Sequence, residues 1–357
     1  MDIRLVALLK RATAGVLYYS GLLWLYAAIR LRHRAVVLMY HRVLPSGADT
    51  CSQDGIIVRP ETFARQMSFL RRYFRPISVQ QLAGYLERRD PLPTMSCVIT
   101  FDDGWADNFE HALPILAPIG VPATVFVAAD FIGSNDCFWQ ERLTRRMFQA
   151  AGQEGPARDL VRRLLTGAID SRTSDELRLA IRATVAGLKK GPATEIAALE
   201  GALKGLLHGE ADCTWGVDRF MSWEQAALLA SHPDISIGAH GCSHTPFTAL
   251  SEDRLDHELR ECRVRVESST GDPVVAVAYP NGDFSDLILN ETRRAGYRLG
   301  FTTRRGHVSA LDDPFKLRRI NIHESATATI PEFLCTLLGV FRGYQLADDD
   351  ARSRHGR

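Results

Sequence analysis

A chain of 357 residues with 46% apolar and 24% charged content is an ordinary globular protein by composition, long enough for one large domain or two smaller ones. Its formal net charge of +1 gives no global attraction for nucleic acid. Seven scattered cysteines, odd in number and without a CxxC pair, speak against a disulfide scaffold and weakly for a reducing compartment; they read mostly as core residues.

The first element departs from this picture. Residues 14–29, AGVLYYSGLLWLYAAI, carry no charge, with Lys10 and Arg11 before them and Arg30, Arg32 and Arg34 after. Sixteen residues at 1.5 Å rise fall short of a hydrocarbon core of ~30 Å. Basic residues at both ends set no orientation, and the lack of an evident small-residue cleavage site speaks against a cleaved secretory signal. Two readings stand: a helix lying on a membrane surface, with Tyr18, Tyr19 and Trp24 at the interface, or a helix packed on the domain.

After this segment, apolar strands alternate with amphipathic helices. AVVLMYHRV (35–43) reads as a buried strand. Phe63, Met67, Leu70 and Phe74 then mark one face of a helix, and Ser78 caps the next, which runs through Leu86. SCVITF (96–101) is a second buried strand; NFEHALPILAPIG is a helix despite Pro114, stopped by Gly120; PATVFVAADFIG is a third strand. From about residue 134 to 218 the patterns turn helical, as an insertion would. The alternation resumes with helix SWEQAALLA, strand DISIGAH, a long helix bearing Leu255, Leu259, Cys262 and Val266 on one face and ending at Gly271, strand VVAVAYP, helix SDLILNETRRAG, and strands YRLGFTT and FKLRRINI. Such alternation predicts a parallel α/β sheet with right-handed crossovers, and six or seven units suit a closed or nearly closed barrel. The expected organisation is therefore an apolar helix over 1–34, a barrel over 35–340 interrupted by the insertion, and a polar, disordered tail over 341–357.

Polar residues gather at the carboxyl ends of these strands: His41, the pair Asp102-Asp103, His240 with His244 four residues on, and Pro280-Asn281-Gly282. In parallel α/β folds that edge holds the ligands and the catalytic groups. Taken singly the signals are weak, since Asp-Gly and Pro-Asn-Gly mark turns and lone histidines are mostly structural. Taken together, two histidines and a carboxylate make a common catalytic zinc set with one position open. A cation also accounts for adjacent acids, one as ligand and its neighbour as base, and period-two alternation at the strand end aims them apart.

TFDDG (100–104), HGCSH (240–244) and AYPNG (278–282) resemble the signature motifs of the polysaccharide deacetylases, the NodB-like carbohydrate esterases, over about residues 35–322. The resemblance implies a distorted (β/α) barrel of about seven parallel strands with a helical insertion, and a divalent metal, usually zinc. It implies hydrolysis of N-acetyl groups on amino sugars, in a polymer or glycoconjugate. It makes Asp102 the general base, Asp103, His240 and His244 the metal ligands, and the backbone N–H of Asn281 an oxyanion donor. Many members carry an Arg two residues before the motif-three proline; here Ala278 stands there, and Arg319 is the candidate to orient Asp102 instead. The opening LMYHRV resembles the form in which the histidine-bearing strand begins the domain, which makes His41 the general acid and His323, after the last strand, its rival. The competing functions are an inactive, membrane-associated sugar-binding or assembly protein, and a C–N hydrolase acting on a small or lipid-linked amide.

Overall fold

The computed structural model describes residues 3–165, 173–189, 191–207 and 216–341; residues 342–357 of the expected disordered tail lie outside the described residues. It divides into two compact units, one of residues 1–46, 54–134 and 220–357, the other of residues 47–53 and 135–219.

The first unit is a barrel. Its wall strands are β1 (Arg34–Tyr40), β2 (Ser96–Phe101), β3 (Ala123–Val127), β4 (Ile235–Ala239), β5 (Ala276–Ala278), β6 (Leu299–Arg305) and β7 (Leu317–Asn321). Each pairs in parallel with its neighbours, and β1 closes the ring by pairing with both β7 and β2. The β1–β2 register aligns Val36 with Cys97 and Tyr40 with Phe101, so both strands finish at one level. All six residues of β2 are buried. A wall strand faces the barrel interior on one side and helices on the other, which explains why β1, β2 and β3 read as nearly unbroken apolar runs.

Inside the ring, Val37, Val98, Phe126, Leu299, Phe301 and Leu317 belong to one core cluster. Outside it, Tyr40, Phe63 and Phe101 pack ring to ring at 5.2–5.6 Å. Helices α3 (Pro60–Tyr73) and α4 (Val79–Arg88) fill the first long crossover. Ser78 caps α4 in a reciprocal pair with Gln81. The segment after β2 begins with a π-turn at Asn108–Ala112, passes Pro114 in a short α-helix, and stops at Gly120, whose φ of 60° is left-handed.

The amino-terminal apolar stretch forms two helices, α1 (Ile3–Tyr19) and α2 (Leu22–Arg30). They bend by 80° at Gly21, which has a φ of 80°. No single helix among the described residues is long and apolar enough to cross a membrane. Their inner side packs on the barrel unit. Trp24 lies 5.7 Å from the Phe69 ring and 5.0 Å from that of Tyr73, and Arg11 bonds Glu332.

The second unit is helical: α5 (Trp139–Ala151), α6 (Pro156–Leu164), α7 (Ser174–Leu188) and α8 (Ala193–Leu206). They enclose a separate core that includes Leu143, Met147, Val161, Ile181, Val185 and Leu203. Asp218, fully buried, accepts from Thr50 Oγ1 and from the Cys51 N–H, both at 2.6 Å. Cys137 is disulfide-bonded, which does not amount to a disulfide scaffold. Four other cysteines are buried and free, as core residues are.

Candidate active site

Every polar group singled out at a strand's carboxyl end belongs to the barrel unit and lies at one edge of it. Asp102 is the first residue beyond β2 and is buried. Its carboxylate is gripped by Arg319 of β7, Nη1 to Oδ1 at 2.6 Å and Nη2 to Oδ2 at 2.7 Å. Arg319 also donates to the Thr302 carbonyl and to Thr100 Oγ1, and it stands over the Phe126 and Phe301 rings of the barrel interior. Burial raises the Asp102 pKa, but the Arg319 guanidinium, with His240 and His41, more than offsets it, so the group is held below the ordinary carboxylate range. It remains a carboxylate with lone pairs to spare.

Asp103 points elsewhere, and not by simple strand alternation. The strand has already ended, and Asp103 has a φ of 82°, a left-handed conformation that costs a non-glycine residue about 1–3 kcal/mol. That twist, continued at Gly104 with a φ of 86°, separates the two carboxylates. A Cβ at position 104 would meet the Ile132 side chain at 2.8 Å, so glycine is required there twice over. Trp105 Nε1 donates to Asp103 Oδ2 at 2.9 Å and leaves Oδ1 facing the histidines.

Asp103 Oδ1 stands 3.5 Å from His240 Nε2 and 3.3 Å from His244 Nε2. Donors held at ~2.0–2.1 Å by a tetrahedral ion are separated by roughly 3.3–3.4 Å. The three donor atoms all lie within 4.8 Å of one another, so this set fits a divalent cation. His240 Nδ1 is bonded to the Ala278 carbonyl at 2.7 Å, so Nδ1 donates and the ring is held with Nε2 turned toward Asp103. Burial opposes charge on His240, but the Asp103 hydrogen bond and the nearby Asp102 carry its pKa above the ordinary value. His244 has a left-handed φ of 55°.

His41 follows β1 directly, and its carbonyl accepts from Asn108 Nδ2 at 2.8 Å. The ring feels the charges of Asp103, Asp102 and Arg319. Burial lowers its pKa and the two carboxylates only partly offset this. Its Nδ1 is buried without a hydrogen-bond partner among the described residues. His323 also follows a wall strand, but it bonds the Ser325 hydroxyl at 2.8 Å, and burial is the sole cause of its lowered pKa. Asn281 occupies an exposed turn with a φ of 62°. The turn is seated by Gly282, where a Cβ would meet the Thr303 backbone nitrogen at 2.4 Å.

Three supporting groups escaped the sequence reading. Trp105 orients Asp103 and stacks on Phe220 at 4.3 Å. Asp107, buried, binds Arg42 Nε at 2.9 Å and the Val43 N–H at 2.7 Å, tying the segment after β2 to the end of the His41 strand. Glu258, on the long helix Glu252–Thr270 (α10 when the preceding helix Trp223–Ala230 is α9), is 1% exposed. It accepts from the Cys242 N–H, from the Ser243 N–H at 3.0 Å and from Ser243 Oγ at 2.6 Å, which fixes the loop between the two histidines. The available signal for Glu258 was its position next to Leu255, Leu259 and Cys262, a carboxylate on the buried side of an amphipathic helix.

A sequence model described as polysaccharide deacetylase matches residues 89–164 and 206–300, on either side of most of the helical insertion. Among curated proteins, the Bacillus subtilis (strain 168) protein YxkH, which carries a provisional polysaccharide deacetylase name, is 19% identical over 287 residues, 80% of this chain and 70% of its own. The poly-beta-1,6-N-acetyl-D-glucosamine N-deacetylase of Escherichia coli (strain K12) is 32% identical over 89 residues, 25% of this chain and 13% of that protein. Among solved structures, the Streptococcus pyogenes deacetylase PplD in complex with acetate superposes with a TM-score of 0.54 at 18% identity, covering 85% of this chain and 98% of that one.

Proposed function

The chain belongs to the polysaccharide deacetylase family, hydrolases of non-peptide C–N bonds, and we propose that it is a divalent-metal-dependent N-deacetylase of amino sugars in a polysaccharide or glycoconjugate. The observation that carries this reading is the spacing of Asp103 Oδ1, His240 Nε2 and His244 Nε2 beside a carboxylate, Asp102, that Arg319 keeps ionised. The E. coli relative, whose name gives poly-N-acetylglucosamine as its substrate, supports the amino-sugar class.

Asp103, His240 and His244 would hold the cation, most often zinc for such a set, which would supply Lewis acidity and lower the pKa of water. The chain's own residues do the rest. Asp102 takes a proton from the attacking water. The Asn281 N–H donates to the oxygen that gains charge as the acetyl carbon becomes tetrahedral; such a donor is worth about 3–4 kcal/mol of barrier. His41, in its protonated form, gives its proton to the departing nitrogen, and the lowered pKa makes that form a stronger acid. An amine leaves poorly unless protonated, so this step contributes ~10²–10⁴-fold. The C–N bond breaks, the C–O bond from water remains, and the products are acetate and a free amino sugar.

The test is acetate release by the zinc-loaded protein on a panel of N-acetylated chitooligosaccharides and poly-N-acetylglucosamine, with cobalt and manganese in parallel. Release on at least one amino sugar, abolished by a chelator and restored by metal, is the expected result. A protein that binds metal stoichiometrically yet releases no acetate from any of them would overturn the reading.

A further inference from the structure

We propose that the α1–α2 hairpin docks the protein in-plane on an anionic membrane surface, without crossing it. A helix on the surface of a globular protein normally presents a polar outer stripe. Here the outward stripes are apolar on both helices. On α1 they include Leu5, Leu8, Val16 and Tyr19, and on α2 Leu22, Leu25, Tyr26 and Ile29, at helical spacing; Val16 is 69%, Leu25 62% and Ile29 67% exposed. The inward stripes, with Ala14, Leu23 and Ala27 buried, already rest on the barrel unit. Packing on the domain and facing a membrane are therefore not alternatives, because each helix has a side for each.

Charge identifies the occupant. Residues 3–34 contain six basic side chains, Arg4, Lys10, Arg11, Arg30, Arg32 and Arg34, and no acid. Against a net +1 for the whole chain, this segment carries +6 and the remainder −5. Beyond it, Arg72 stands 5.4 Å from the Tyr73 ring, which in turn packs on Trp24. An apolar face rimmed by cations suits lipid headgroups of negative charge. A second copy of the chain would bring an identical basic rim against this one, which an isologous contact does not tolerate well. The 80° bend at Gly21 leaves two helices, neither long and apolar enough to span a bilayer alone, and lets both lie along one surface.

The hairpin and the candidate site lie at opposite ends of the barrel strands. α2 ends at Arg30 and β1 begins at Arg34, so the hairpin joins the barrel at the amino ends of its strands. His41 and the acid pair lie at the carboxyl ends.

The test is vesicle flotation of the full chain with phosphatidylcholine alone and with about a third phosphatidylglycerol. Flotation is expected with the anionic vesicles and should fall as salt rises. Leu25→Glu with Ile29→Glu should lower partitioning at least ~tenfold, and Arg30→Gln with Arg32→Gln by ~fivefold per charge. Leu25, Ile29 and Arg32 are exposed and Arg30 is half-buried, and none belongs to the candidate site, so acetate release from a soluble oligosaccharide should be unchanged; should the glutamate pair fail to fold, Leu8→Ser with Val16→Ser takes its place. Equal binding to neutral vesicles, no binding, resistance to alkaline extraction, or a soluble dimer dissociated by Leu25→Glu would each overturn the proposal. None of these readouts depends on the deacetylase reading, so the two fail separately.

Discussion

Arg319 holds both oxygens of Asp102, at 2.6 and 2.7 Å, from the far side of the β1 junction, with both side chains almost fully buried. This pair joins β7 to β2 across the strand that closes the barrel. It fixes the orientation of the proposed base, and with His240 and His41 it offsets the burial that raises that base's pKa. Arg319→Lys keeps the charge and loses the two-pronged grip. We expect turnover to fall roughly 10²-fold from misorientation, with metal content unchanged. Arg319→Met strands a buried carboxylate and should destabilise the fold by about 3–5 kcal/mol. Kinetics on the first variant and chemical denaturation on the second check the two halves.

The neighbouring acids should separate by substitution. Asp103→Ala removes the oxygen that both histidines face, so zinc content by elemental analysis should drop steeply. Asp102→Asn keeps the volume and removes the basicity; metal should stay and turnover should fall by ~10²–10⁴-fold. Full metal retention in Asp103→Ala would exclude it from the ligand set.

Much of this arrangement was legible in the sequence, for physical reasons. β2 lies buried on both faces, so its six residues read as one apolar run that stops where the acids begin. Ser78 and Gln81 announce a helix start through complementary side chains, and Gly271 announces a stop by its left-handed φ of 77°. Arg319 entered as a candidate only because Ala278 leaves the usual arginine position empty; its burial, with Arg318 beside it exposed, belongs to the structure. What the sequence hid depends on distant partners or on backbone twist. Ring closure rests on β1 pairing with β2 some sixty residues away. The separation of Asp102 from Asp103 comes from a left-handed residue, which alternation does not foresee. Trp105 and Glu258 gain their meaning only from the loops they touch.

Glu258 should govern metal affinity without touching metal. Its carboxylate binds two consecutive N–H groups and a hydroxyl in the loop between His240 and His244. Glu258→Gln keeps the size but turns a donor amide toward those donors. Outer groups that orient ligands are worth ~10–100-fold in affinity, and we expect a loss in that range by competition with a chelator. Turnover at saturating zinc should recover most of the wild-type value, which a general collapse of the fold would not allow.

The two candidate acids make opposite predictions. His41 lies within the field of both aspartates, whereas His323 is engaged by Ser325 and shows no such coupling. His41→Ala should therefore cost ~10²–10⁴-fold in turnover with little change in metal content, and His323→Ala should cost little. A further readout separates acid catalysis from a structural role. Protonation matters only when the leaving group is a poor one, so His41→Ala should recover on an acetyl substrate whose leaving group needs no proton, such as an activated aryl ester. Persistent inactivity of His41→Ala on that ester would show that the ring supports the site in some other way.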